Sequence, residues 1–213
     1  IHFQSVADQI GGGNGTLACI EAGYIGDAVI VAQPTAMQVC SGSRGLSFLT
    51  IRVRGQGAHA GFPKDGVNAV TKAIKYVNAL QSLEAELDKR YSHPLWKSVK
   101  VKHPMTVTGI SGGRFGGVVP DECEIRVNAG YIAGETSKDL RLWVTSALDA
   151  VTCGDSWLSD NPPEVIWEPV QVEPSATDPD HPLVRIMLES RPDAKPPSAV
   201  TALPAISDLR FYS

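Results

Sequence analysis

The sequence has few cysteines and none close together. Cys19, Cys40, Cys123 and Cys153 form no CxxC pair, which argues against a zinc ribbon or a disulfide framework and leaves four free thiols in or near cores. Long apolar runs are missing too. No stretch approaches the ~20 apolar residues a spanning helix needs, and the opening IHFQSVADQ has neither a basic n-region nor an apolar h-region. A soluble cytoplasmic protein without a membrane partner is expected. Nor is there an excess of one charge: the formal net charge is -4, which gives no electrostatic reason to bind nucleic acid or an anionic surface.

Several catalytic signatures are also absent. Ser175 and Ser207 lack a GxSxG elbow. The glycine run GGGNG has neither the GxGxxG spacing nor a Walker lysine, so it is read as a tight turn and not as a phosphate loop. No HxD or HExxH pair places two metal ligands together. Asp8, Asp27, Asp121, Glu122, Asp178, Asp180, His181 and Asp208 are scattered, and Asp178, Asp180 and His181 lie among prolines where capping and turn formation are expected.

What is present is an ordinary globular composition. Of the 213 residues, 43% are hydrophobic and 20% charged, enough to bury a real core. Residues 3–35 read as strand, glycine turn, short helix and strand, one α/β crossover. The chain opens on Ile1 without a methionine and stops at Ser213 just after an apparent helix start, which suggests a fragment.

From Gly45 the pattern changes. LSFLTIRVRGQ alternates as a strand. The segment after it carries Val67, Val70, Ile74, Val77 and Leu80 near a 3.6 period, an amphipathic helix starting near Asp65 or Gly66. VKVKHPMTVTGISGG and CEIRVNAGYI read as strands joined by GGRFGGVVPDE. A helix follows, capped by Thr136 or Ser137, with a stripe through Leu140, Val144, Leu148 and Val151, and then PEVIWEPV as a fourth strand. The order β-α-β-β-α-β is the split, ferredoxin-like arrangement of four antiparallel strands with two helices on one face. Its exposed edges call for a partner, and a homodimer is expected. TDPDHPLV then reads as a turn into a short helix, and the remainder returns to the first α/β layer. The expected division is therefore 1–45 and 171–213 for a partial α/β domain, and 46–170 for an inserted lid.

His59 stands in the glycine- and alanine-lined stretch GAHAGFP, between a strand and a helix. It reads either as a surface loop histidine or as a donor to a developing oxyanion, and its spacing does not choose between them.

GQGAHAGFPKDGVNAVTKAI, GGRFGGVVPDECEIRV and PAISDLRFY, preceded by GGGNGTLACIEAGYIGDAVIVAQPT, together resemble the acetylornithine deacetylase, succinyl-diaminopimelate desuccinylase and carboxypeptidase G family of metallopeptidases. The resemblance runs through nearly the whole chain. It implies an α/β catalytic domain binding two zinc ions, an inserted dimerisation lid, and hydrolysis of a small amide such as an N-acyl amino acid or peptide-like ligand by a zinc-bound water. It matches His59 to the lid histidine that reaches the oxyanion, commonly in the partner subunit's site, and gives Asp208 and Arg210 a place in substrate binding.

Departures from the pattern fall on the metal positions. The general-base and ligand glutamates fall on Gln9 and Ile10, or on Asp8 and Gln9 with a one-residue shift. The carboxylate before Pro-Thr falls on Gln33. The asparagine before VPDE falls on Gly117, and the arginine past PDEC on Gly130. Zinc is thus the family's expected cofactor, absent or weakly held by this chain. Two functions follow: an amide hydrolase scaffold, incomplete or inactive by itself, or a non-catalytic dimerising or ligand-binding protein of the same fold.

Overall fold

A computed structural model describes residues 1–190 and 200–212. In chain order the elements are α1 (Asn14–Glu21), β1 (Cys40–Ser43), β2 (Gly45–Arg54), α2 (Ala69–Arg90), β3 (Met105–Gly112), β4 (Glu122–Tyr131), α3 (Ser137–Cys153), α4 (Ser156–Asp160), β5 (Glu164–Val172), β6 (Ser175–Ala176), α5 (Pro182–Glu189) and β7 (Thr201–Leu203). They form two sheets, one of four strands in the order β3-β4-β2-β5 and one of three in the order β6-β1-β7.

The four-stranded sheet is the ferredoxin-like lid. Every pairing in it is antiparallel, and alternate residues of its inner strands, Leu49, Ile51 and Val53 on β2 with Cys123, Ile125 and Val127 on β4, are buried in the core under α2 and α3. Period-two alternation thus puts one face against the helices and the other toward solvent. On the outer face Arg52 lies between Glu124 at 3.3 Å and Glu164 at 3.5 Å, a charged cross-strand row that needs no cover.

The helices form where the residues can cap and bury them. The Asn68 side chain accepts from the backbone N–H of Val70 and Thr71 and so starts α2 at Ala69, four residues beyond Asp65, which belongs to a single 3₁₀ turn. The buried face of α2 is Ala69, Ala73, Tyr76, Leu80, Leu83 and Leu87. It is rotated from the apolar stripe read in the sequence, and Ile74 is 48% exposed. Two alanines allow close approach to the sheet, and Tyr76 buries its ring with its hydroxyl 2.9 Å from that of Thr152. On α3 the expected stripe holds: Leu140, Val144 and Leu148 are buried, Val151 packs beside them, and Thr136 with Asp139 forms a capping box.

Residues 3–9 and 27–35 do not form the strands read from sequence; only the helix between them is present, as α1. An apolar run becomes a strand only when its N–H and C=O groups find a neighbouring ladder, and none lies beside these runs among the described residues. The small sheet is built on β1 instead, paired antiparallel with β6 and parallel with β7. The chain after α5 does return to this layer through β7, while its connection at 191–199 lies outside the described residues. Leu95, Trp96, Ile132 and Ala202 form a second buried cluster where the lid meets the small layer.

Candidate functional site

His59 sits on a loop that leaves β2 and returns to α2. Its base is closed by paired backbone hydrogen bonds between Gln56 and Val67, at 2.8 and 2.9 Å. Above them the loop pairs with the turn ahead of β4: the N–H of Val119 donates to Ala58 O at 2.8 Å, and the N–H of Ala60 donates to Gly117 O at 2.9 Å. His59 therefore faces Val118 across a short antiparallel bridge. The brace fixes its backbone while the side chain stays exposed.

The ring has its own contacts. The backbone N–H of Gly61 donates to Nδ1 at 3.0 Å, and the ring of Phe62 lies 5.8 Å away, centroid to centroid, tilted by 50°. Phe62 is 66% exposed and Phe115, at the start of the bracing turn, 74%. Among the described residues Nε2 of His59 makes no hydrogen bond.

Asp208 and Arg210 are not beside this loop by any bond. Both are buried against the glycine turn. Asp208 Oδ2 accepts from the Thr16 hydroxyl at 2.5 Å, and its Oδ1, which has no hydrogen-bond partner, faces Arg210 Nη1 at 3.6 Å. Arg210 Nη2 donates to Gly12 O at 2.8 Å, and its guanidinium stacks 4.4 Å over the ring of Phe211. Burial lowers the Arg210 pKa from its ordinary value, with Asp208 acting in the opposite direction. Gly13, at φ 78°, lets the turn close: a Cβ there would meet Phe211, Arg210 and Asp208 within 3 Å.

The positions that matter for zinc carry other contacts. Gln9 Nε2 donates to Ile206 O at 3.3 Å, a donor's role that a carboxylate cannot fill. Ile10 is an exposed apolar side chain. Asp8, the alternative position, accepts from Asn14 Nδ2. Gln33 lines a cavity of about 560 Å³ with Cys40, Ser41, His181, Met187 and Leu209, and His59 is not part of it. Among the described residues no group of three His, Cys, Asp or Glu side chains is arranged to hold a metal ion. Zinc takes thiolate, imidazole or carboxylate donors, and this donor set does not fit it. Gly117 accepts in the brace, and Gly130 packs against Arg44 and Pro104. Asp178 and His181 cap the turn into α5, as the prolines suggested.

The ring contact of Gly61 has no sequence signal beyond a glycine two residues after the histidine, and the pairing to 115–119 has no local signal. Nor has the setting of His103, which is fully buried between carboxylates of Asp88 and Glu135.

A four-stranded antiparallel lid with two helices on one face, joined to a smaller α/β layer, is the scaffold class of amidohydrolases and peptidases. The chain belongs to the peptidase dimerisation domain family, whose pattern matches residues 41–152. It is 27% identical over 175 residues to the N-formyl-4-amino-5-aminomethyl-2-methylpyrimidine deformylase of Halalkalibacterium halodurans, covering 78% of this chain and 40% of that protein. It is 29% identical over 127 residues to the acetylornithine deacetylase of Yersinia pseudotuberculosis, covering 59% of this chain and 32% of the other. A tripeptidase from Staphylococcus aureus shares the fold with a TM-score of 0.58 at 18% identity, over 87% of this chain and 44% of its own. The chain thus spans well under half the length of these relatives. No helix among the described residues is long and apolar enough to cross a membrane.

Proposed function

We propose that this chain is the dimerising lid, with part of the adjoining layer, of an amide hydrolase scaffold, and that it presents His59 as a hydrogen-bond donor to the carbonyl oxygen of a small amide. The observation that carries the reading is the braced loop, with an exposed imidazole whose Nε2 has no partner among the described residues. A donor fixed in advance stabilises an oxyanion without reorganising as the charge develops. The relatives' names, a deformylase of an N-formyl aminomethylpyrimidine and an acetylornithine deacetylase, support a small N-acyl amine as ligand, with an N-acyl amino acid or peptide-like amide as the proposed case. The division into 1–45 with 171–213, and 46–170, belongs to this proposal.

The partner is a second copy. β3 is an edge strand whose sequence, MTVTGISG, has neither proline nor charge, the devices that usually protect an edge. Ile110 on β3 and Ile74 on α2 are both about half exposed. The other edge, β5, carries Pro169 and two glutamates. Symmetric pairing of two β3 edges would extend the sheet and cover these isoleucines.

No catalytic step is assigned to zinc in this chain, because Gln9, Ile10 and Gln33 do not supply its donors. Asp208 and Arg210 act on binding indirectly, by holding the glycine turn through Thr16 and Gly12. The second reading, a non-catalytic dimerising or ligand-binding protein, is favoured by the bond from Gln9 to Ile206, which gives that side chain an internal structural task. Metal analysis of the purified chain beside a deacylation assay with N-acetylornithine and other N-acyl amino acids tests the proposal. Little bound zinc and no turnover by the chain alone are expected; close to two equivalents of zinc with chelator-sensitive turnover would overturn the zinc-free account.

A further inference from the structure

The chemistry of a histidine donor depends on which ring nitrogen carries the proton. A backbone N–H can only donate, so Nδ1 of His59, 3.0 Å from the N–H of Gly61, must accept. A nitrogen that accepts in the ring plane holds no proton, and the imidazole is then the neutral tautomer with its proton on Nε2. We infer that Gly61 is a positioning residue: its amide holds His59 as a neutral Nε2–H donor, a form that offers its outward N–H to an oxyanion. This rests on the proposed role of His59 and adds how the chain prepares that role.

Three features converge on the ring. The bridge to Val118 fixes the backbone of His59. The N–H of Phe62 donates to the carbonyl of His59 at 2.8 Å, which turns the chain so that the Gly61 amide faces Nδ1. A Cβ at residue 61 would lie 3.1 Å from Nδ1 and 3.3 Å from Cε1 and would push the ring by a few tenths of an ångström, whereas the glycine leaves it room to settle on the amide. Phe62 flanks the ring without bonding it. Only Nε2 is left without a partner among the described residues, so one end of the ring is used for orientation and the other is offered outward. The same division of labour, one nitrogen held by a backbone group and the other acting, sets tautomers elsewhere.

The His59 role could fail while this inference stands, so the test reads the ring and not turnover. The chain labelled with ¹⁵N-histidine is examined by long-range ¹H–¹⁵N correlation above the titration range of its histidines, with the His59 signals assigned by their loss in His59→Ala. An unprotonated Nδ1 and a protonated Nε2 are expected, with an Nδ1–H population well below that of exposed His2. In Gly61→Pro, which lacks the donor, the ratio of Nδ1–H to Nε2–H should rise about fivefold, the factor that one ordinary hydrogen bond represents. Gly61→Ala keeps the donor but crowds the ring, and its His59 signals should shift with the tautomer less changed. Amide spectra of each variant report whether the lid stays folded; if Gly61→Pro does not fold, the unsubstituted chain and Gly61→Ala decide. Tautomer populations at His59 equal to those at His2 in the unsubstituted chain, or unchanged by a folded Gly61→Pro, would overturn the inference. Unchanged binding of N-acetylornithine by a folded His59→Ala would instead count against the proposed function alone.

Discussion

Nε2 of His103 lies 2.9 Å from Oε1 of Glu135, inside the lid. The other ring nitrogen faces Asp88 Oδ1 at 3.0 Å, and the rings of Tyr91 and Trp143 cover the imidazole. The group joins the end of α2, the entry to β3 and the turn before α3. Asp88 Oδ1 also accepts the backbone N–H of Lys102 and His103, and Glu135 Oε2 that of Ile132. His103→Leu keeps the bulk but leaves two carboxylates without their shared partner, and should cost about 3 kcal/mol in urea unfolding. Adding Glu135→Gln to it should recover part of that loss; additivity of the two single changes would show no coupling.

Asp155 gives a dependence on pH. Hydrogen bonds from Lys72 and Lys75 hold its carboxyl well below the ordinary carboxylate range, with the N–H of Leu158 helping and burial opposing. A carboxyl lowered on folding stabilises fully above its unfolded value, about 3.9, and loses that contribution as pH falls toward its folded value. Asp155→Asn should therefore lower stability at pH 7 by about 1–3 kcal/mol, and the gap to the unsubstituted chain should close below pH ~4. A gap constant between pH 7 and pH 3 would refute the assignment.

His59→Ala removes an exposed ring whose bonds are confined to its own loop. Its effect on thermal stability should stay within about 0.5 kcal/mol, and the association state should not change. A large loss in either would make His59 a structural residue.

The Asn68 cap is the sharp start of α2. Asn68→Ala leaves the N–H groups of Val70 and Thr71 without their acceptor and should cost about 1 kcal/mol in chemical unfolding. No change would mean that the lid core alone sets where this helix begins.

The lid was legible because each of its elements carries its own period and its order admits few topologies. Thr136, Leu140, Val144 and Leu148 announced α3 unaided. On α2 the largest aliphatic residues point to Ile74, whereas the sheet selects Ala69, Ala73 and Tyr76 for fit. FQSVADQ and DAVIVAQPT have strand-like text but lack the neighbouring ladder that a strand needs. At the site, GAHAGFP marked His59, but its brace from 115–119 comes from far along the chain. His103 passed unnoticed because Asp88 and Glu135 lie 15 and 32 residues away, and buried pairing at that range leaves no local pattern.

The central claim, that this chain is a dimerising lid, is tested most directly by sedimentation equilibrium of the unsubstituted chain beside Ile110→Lys, which places a charge on the β3 edge. The account predicts a dimer at micromolar concentration for the first and a folded monomer for the second. A monomer throughout, or a dimer untouched by lysine at position 110, would contradict it.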